Sequence, residues 1–378
     1  MQFHDNQRLR LLEHLLIHVM PSESDLDRET MIFNTTRRTL RVDGQALKDL
    51  ENIVFPLLDG TRTIGEIRAA VWEQITDASL NQCLTFLMEN RLVEEYSETT
   101  FALNNHEQFL PQFSLYHELG FQQKNAQERL ANARVAIFGL GGSGVVAAIN
   151  LAACGVGFLR LCDSISTSAY DATIMANWGL SQSGGLRAVE TARQIAGMGG
   201  FTAIETVTDI LNDDDTVKAL LDDVDLAIVA TDAVSVNLAY RLNRLCLNMQ
   251  CPLLPGGAFG IEGTIGPLVV GGDSPCYLCY RMRSIACAKL PEAQLQLERH
   301  LDRDRRSQPQ WRENLPIGHT LVGSYLVLDA VKMLLGLPVA TQGKLLHLDL
   351  ITTKLTHNVV LKKPGCPHCS SHSPFEKS

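Results

Sequence analysis

The chain has 378 residues, 45% of them hydrophobic and 20% charged, with a formal net charge of −9. That is an ordinary globular composition at a length suited to two domains, and an acidic chain lacks the basic surface a general nucleic-acid binder needs to displace counterions. No uninterrupted apolar run reaches the roughly 18 residues that span a bilayer, and the start Met1-Gln-Phe-His-Asp-Asn6 has no basic-then-apolar signal pattern, so a cytoplasmic protein without a membrane partner is expected.

Residues 1–100 read as a small winged-helix-like α+β domain. Leu9–Met20 is apolar enough for a helix. Met31–Thr35 and Thr39–Val42 flank Thr36-Arg-Arg38 as a hairpin. Helical patterns follow at Ala46–Leu57, Thr63–Gln74 and Leu80–Asn90. Thr63-Ile-Gly-Glu66 is a capping box, in which each side chain satisfies the other's backbone N–H. Leu92–Tyr96 closes the domain as a strand. Residues 101–130 are Gln/Asn-rich and read as a linker plus a helix at Gln123–Ala131.

From residue 131 to 378 strands alternate with helices, the signature of a doubly wound, Rossmann-like α/β sheet. Strands are expected at Arg134–Phe138, Phe158–Cys162, Ala203–Val207, Asp225–Ala230, Leu253–Pro255 and Gly263–Val270. Helices are expected at Val145–Cys154, Leu186–Ala196, Thr216–Leu221 and Asn237–Leu247. Residues 291–312 are charged and read as a mobile excursion. Gly323–Leu335 is an apolar helix, and two strands, Lys344–Leu350 and Thr356–Leu361, follow it.

Three features carry chemistry. Gly139-x-Gly141-x-x-Gly144 ends a strand and opens a helix. Gly139 permits a tight turn, Gly141 lets backbone approach phosphates, and Gly144 lets helix and strand pack closely. Asp163 ends the next strand, where a ribose hydroxyl finds its acceptor. The plain alternative is a glycine turn that binds nothing. Asp232 follows an apolar strand at the edge where open α/β sheets bind ligands. There it either holds Mg²⁺ between phosphates or caps the next helix.

The third feature is a pair of Cys-x-x-Cys hooks, Cys276/Cys279 and Cys366/Cys369. Four thiolates in two hooks suit a tetrahedral Zn²⁺ whose closed shell makes it structural. His368 and His372 are either spare ligands or surface histidines. Cys287 is either a nucleophile or a bystander, and no base to activate it can be located. Cys83, Cys154, Cys162, Cys246 and Cys251 fall on apolar patterns and are expected in cores.

The segment Val135-Ala-Ile-Phe-Gly-Leu-Gly-Gly-Ser-Gly144 through Leu159-Arg-Leu-Cys-Asp163 resembles the ThiF/MoeB-like superfamily of ubiquitin-activating-type adenylating enzymes. So do Ala230-Thr-Asp232, Gly256-Gly-Ala-Phe-Gly-Ile-Glu-Gly-Thr-Ile265 and the paired hooks. The resemblance covers about residues 120–370. It implies ATP and Mg²⁺ activating a carboxylate as an acyl-adenylate, a structural Zn²⁺ and a homodimer. It assigns the phosphate loop to Gly139, Gly141, Gly142 and Gly144, the ribose to Asp163 and Mg²⁺ to Asp232. Arg187 stands at a phosphate-binding Lys, and Asp171 at an Asn. Ile174 and Asn237 replace arginines and Met175 a glutamine, which removes two cations from a triphosphate site.

The fused amino-terminal module resembles the leader-recognition elements of ribosomal-peptide maturation enzymes. This implies a precursor peptide as partner, its leader adding a strand to the hairpin edge between Met31–Val42 and Leu80–Asn90. The resemblance leaves two readings open. One is an ATP-dependent enzyme that activates a peptide carboxylate for dehydration. The other is a catalytically inactive leader-binding partner of a cyclodehydratase. An NAD-linked oxidoreductase explains Asp163 but neither the hooks nor Asp232. A DNA-binding amino-terminal domain is disfavoured by the acidic charge.

Overall fold

The computed structural model describes residues 3–12, 15–22, 28–35, 38–96, 107–109, 111–112, 115–116, 123–175, 184–230, 236–271, 274–303 and 315–370. The chain separates into two compact units, Met1–Gln127 and Glu128–Ser378.

The first unit holds two three-stranded antiparallel sheets. One has the order β5–β1–β6, with β1 Arg8–Leu11, β5 Asp59–Thr63 and β6 Val93–Glu95. The other has the order β2–β3–β4, with β2 Leu16–Pro21, β3 Glu29–Asn34 and β4 Thr39–Gly44. The expected hairpin is therefore present. The expected helix over Leu9–Met20 is not: it is the two strands β1 and β2. Alternating burial along β2 shows a period of two, which the apolar density of the sequence concealed.

Two helices follow, α1 Ile64–Val71 and α2 Asp77–Glu89. The capping box forms as expected: Thr63 N–H donates to Glu66 Oε2 at 2.8 Å, and Glu66 N–H to Thr63 Oγ1 at 3.2 Å. The expected helix over Ala46–Leu57 is broken into an α-turn, a π-turn and a 3₁₀ turn, the last containing Pro56. Phe33 of β3 packs on Phe86 of α2 with ring centroids 5.7 Å apart, and Arg38 donates to the Asn90 carbonyl. The seam between hairpin and helix is thus filled by core side chains.

The second unit is built on one eight-stranded sheet in the order β14–β13–β12–β11–β10–β7–β8–β9. The strands are β7 Arg134–Phe138, β8 Phe158–Cys162, β9 Ala203–Val207, β10 Leu226–Val229, β11 Leu253–Phe259, β12 Glu262–Ile265, β13 Lys344–Asp349 and β14 Lys354–Val359. Strands β11, β10, β7, β8 and β9 are mutually parallel, and β11–β14 continue antiparallel. Every residue of β10, and four of the five of β7, is buried, as a strand covered on both faces requires. The strand order reverses between β7 and β10, which places the ligand crevice of an α/β sheet at their carboxyl ends.

The helices of this region are α3 Gln123–Asn132, α4 Gly142–Ala153, α5 Ala169–Met175, α6 Arg187–Ala196, α7 Asp214–Leu221, α8 Val236–Met249, α9 Tyr277–Ala286, α10 Pro291–Arg303 and α11 Pro316–Leu335. Residues 291–303 are thus a helix where an excursion is expected. Leu295 and Leu297 are exposed along it, and the buried Glu298 makes an ion pair with Arg281 of α9.

Helix α11 is, among the described residues, the one helix long and apolar enough to cross a membrane. It lies instead along α4. A methyl group at Gly323 would come within 2.7 Å of the Ser143 carbonyl and of Val146, so the two backbones approach closely. Leu326 and Val322 pack on Gly256 of β11 and Gly263 of β12. Helices α7 and α8 bury Val217, Leu221, Ala239, Leu242, Leu245 and Cys246 in one cluster with Ala136, Phe138, Ala227 and Val229 of the strands.

Candidate nucleotide site and zinc clasp

The crevice at the reversal of strand order is where the glycine loop lies. Gly139 follows β7 with φ of 93°, a conformation that favours glycine, and its N–H donates to the Cys162 carbonyl at 2.9 Å. Gly141 is the N-cap of α4. A methyl group at Gly144 would lie 2.0 Å from the Gly139 carbonyl oxygen, so helix and loop touch backbone to backbone. The N–H groups that open α4 have no carbonyl of their own helix to bond and favour an anion.

Asp163 directly follows β8 and braces that loop. Its Oδ2 accepts the Leu140 N–H at 2.7 Å and its Oδ1 the Ile165 N–H at 2.8 Å. Burial pushes its carboxyl upward in pKa, and Arg187 and the two N–H groups oppose the shift. Arg187 lies 3.8 Å from Asp163 and 2.8 Å from Asp171, with all three side chains under 10% exposed. Asp171 also accepts from Ser168 N–H at 2.6 Å and Ser168 Oγ at 2.8 Å, a box that opens α5.

Three residues of the expected set, Asp163, Asp171 and Arg187, therefore meet in one buried ionic cluster beside the glycine loop. Ile174 and Met175 lie at the end of α5, and Asn237 at the start of α8. Asp232 lies outside the described residues. The chain reaches it from Ala230, whose N–H donates to the Phe138 carbonyl at 3.0 Å, at the end of β10 next to the glycine loop.

Sequence reasoning missed His319. It stands in the first turns of α11, 2% exposed, with its ring against Gly142 and Nδ1 3.2 Å from Ser143 Oγ. The Tyr170 ring meets it edge-on at 6.3 Å. Burial holds its pKa at about 4. The Arg187 charge acts in the same direction and Asp171 against it, so the imidazole is neutral near pH 7. No local motif marks a histidine so far along the chain from the loop. Its signal is spatial, the missing side chain at Gly142.

The four hook cysteines converge. Their sulfurs lie within 4.8 Å of one another, with Cys276–Cys279 at 3.9 Å, Cys276–Cys366 at 3.7 Å and Cys279–Cys369 at 3.5 Å. Zinc–sulfur bonds of about 2.3 Å in a tetrahedron put sulfurs about 3.8 Å apart, so the donor set fits Zn²⁺. The Lys363 N–H donates to Cys279 Sγ at 3.3 Å, a backbone bond typical of a thiolate held for a metal. All four are buried free cysteines. His368 is not in the cluster: its Nδ1 meets Asn243 Nδ2 at 2.8 Å. His372 lies outside the described residues. Cys287 is exposed at the end of α9, while Cys162, Cys246 and Cys251 are buried.

Residues 114–368 match the ThiF family model. The chain is 30% identical over 259 residues to the molybdopterin-synthase adenylyltransferase of Escherichia coli K12, covering 65% of this chain and 90% of that protein. Among solved structures, the microcin C7 biosynthetic enzyme MccB in complex with N-formylated MccA shares the fold with a TM-score of 0.70 at 18% identity. The match covers 96% of this chain and 99% of that one. E. coli MccB has also been solved with ATP. PaaA shares the fold with a TM-score of 0.62 at 19% identity, over 78% of this chain and 96% of its own. Glycine loop, reversal of strand order and matched sequence agree, and the chain belongs to the ThiF family.

Proposed function

We propose that this protein is an ATP-dependent enzyme that matures a ribosomally made precursor peptide by activating one of its carboxylates for dehydration or cyclisation. The observation that carries the reading is the braced glycine loop at the β7/β10 crevice, in a chain whose fold follows that of MccB, solved with ATP and MccA, over nearly its full length. The layout also resembles the maturation enzyme of pantocin A, which acts on glutamates of a precursor peptide.

ATP with Mg²⁺ supplies the activating group that turns a carboxylate oxygen into a leaving group. The chain's own part is binding and orientation. Gly139, Gly141, Gly142 and Gly144 give the loop its close backbone approach, and the opening N–H groups of α4 offer donors to phosphate oxygens. Asp163, held rigid by two N–H groups, is the ribose acceptor, with Asp171 beside it. Asp232 is the Mg²⁺ ligand. Arg187 adds positive charge to the site, restrained by Asp163 and Asp171. The zinc clasp is structural.

Residues 1–100 are proposed to form the leader-recognition domain, with 101–130 a linker and helix and 131–378 the adenylating domain. Because Phe33 and Phe86 fill the seam between hairpin and helix, an added leader strand would lie along an outer edge of the β2–β3–β4 sheet. A homodimer is proposed through the exposed apolar stripe of α11, Ile317, Leu321 and Leu328, whose spacing puts them on one helix face.

The test is mass spectrometry of candidate precursor peptides incubated with this chain alone and Mg·ATP. Loss of water from the peptide, abolished by Asp232→Ala, is the expected result. Modification that survives Asp232→Ala would refute the site assignment. The second reading, an inactive leader-binding partner, is favoured by one observation: Arg187 is already paired with two carboxylates, while Ile174 and Asn237 stand where the family resemblance places arginines. A peptide changed only when a second enzyme is added would favour that reading.

A further inference from the structure

We propose that Asn243 is a positioning residue for the metal clasp, setting the register between the two cysteine hooks. Asn243 lies in the middle of α8 and is fully buried. Its Oδ1 accepts the Tyr277 N–H at 2.9 Å, and its Nδ2 donates to His368 Nδ1 at 2.8 Å. Tyr277 directly follows Cys276, and His368 directly precedes Cys369. One carboxamide therefore bonds to each hook next to a sulfur ligand.

The chemistry fixes the direction of both bonds. A backbone N–H can only donate, so the Asn243 oxygen faces Tyr277 and its NH₂ faces His368. His368 Nδ1 is then an acceptor, and its ring is the neutral form with the proton on Nε2. The Tyr277 N–H is also the first of α9, whose N-cap Cys276 offers no side-chain bond, so Asn243 satisfies a donor that helix geometry leaves open.

The base for this arrangement is rigid. Leu242, Leu245 and Cys246 of α8 are packed in the same cluster as the strands and all four hook cysteines. The Tyr240 and Tyr277 rings, one on α8 and one on α9, lie 5.8 Å apart. The hooks come from distant parts of the sequence, and each alone holds only two sulfurs. A shared partner fixed to the sheet brings them to tetrahedral spacing before the ion arrives, which lowers the ordering cost of binding. Residues that orient ligands in this way typically change metal affinity about 10–100-fold when replaced.

The test uses the full-length, zinc-loaded protein and follows zinc transfer to a chromophoric chelator, with thermal unfolding measured in parallel. Asn243→Leu, similar in size but unable to bond either hook, is expected to release zinc about tenfold faster. It should also alter the sulfur-to-metal charge-transfer bands of the cobalt-loaded protein. Ile195→Ala, a cavity on α6 outside the cluster that holds the hooks, is expected to lower the melting temperature with zinc release unchanged. His368→Ala should speed release in the wild type and add little once Asn243 is leucine. Should Asn243→Leu fail to fold, Asn243→Asp keeps the acceptor for Tyr277 and loses the donor to His368, and release several-fold faster than wild type is expected. Release unchanged in the Asn243 variants, or accelerated equally by Ile195→Ala, would overturn the proposal.

Discussion

The ring of His319 occupies the space a side chain at Gly142 would take: a methyl group there would stand 2.4 Å from His319 Cγ. An imidazole from α11 thus packs against the first turn of α4. Because its folded pKa is about 4 against an ordinary 6.5, the unfolded chain takes up the proton first as pH falls. Stability should therefore decline from pH 6.5 to pH 4 and this contribution should be flat below, spanning about 3 kcal/mol at most. Burial lowers the pKa of His368 too, so it acts in the same direction. Melting temperatures of wild type and His319→Gln across pH 4–7 check this, and the variant should show the shallower slope.

Gly144→Ala should be far more damaging than an ordinary helix substitution. The new methyl meets a backbone carbonyl at 2.0 Å, and neither β7 nor α4 can move without disturbing the buried core. Circular dichroism melting should show severe destabilisation, with loss of any nucleotide-induced stabilisation.

Thr63→Ala removes one half of the capping box that opens α1. A loss of about 1 kcal/mol in the unfolding free energy of the amino-terminal unit is expected in urea titration. The catalytic reading does not depend on this cap, so nucleotide affinity should be unchanged.

Ile317→Lys combined with Leu321→Lys places two charges on the exposed face of α11, while the buried face retains Val322 and Leu326. Light scattering should show the wild type as a dimer and the double variant as a folded monomer. A wild-type monomer would remove the proposed interface.

The parallel half of the second unit was readable because continuous apolar strands, small-residue helices and glycine stops coincide there. Arg134–Phe138, Phe158–Cys162 and Ala203–Val207 form with the expected bounds. The clasp was equally legible, since two Cys-x-x-Cys pairs have few other uses. Leu9–Met20 misled because two short apolar strands, β1 and β2, lie close together in the sequence and mimic one apolar helix. Pro291–Arg303 misled because what it buries is a charged residue, Glu298 paired with Arg281, rather than an apolar face. His319 and Asn243 carry no sequence signal at all. Each acts through partners far away in the chain, Gly142 and Ser143 for the first and Tyr277 and His368 for the second.

The central claim is that the crevice between β7 and β10 binds ATP, and calorimetric titration of Mg·ATP into the wild type and Asp232→Ala measures it most directly. The account predicts saturable one-site binding by the wild type, lost or strongly weakened in Asp232→Ala, with Asp163→Ala weakened as well. Absence of binding by the wild type, or equal binding by all three proteins, would contradict it.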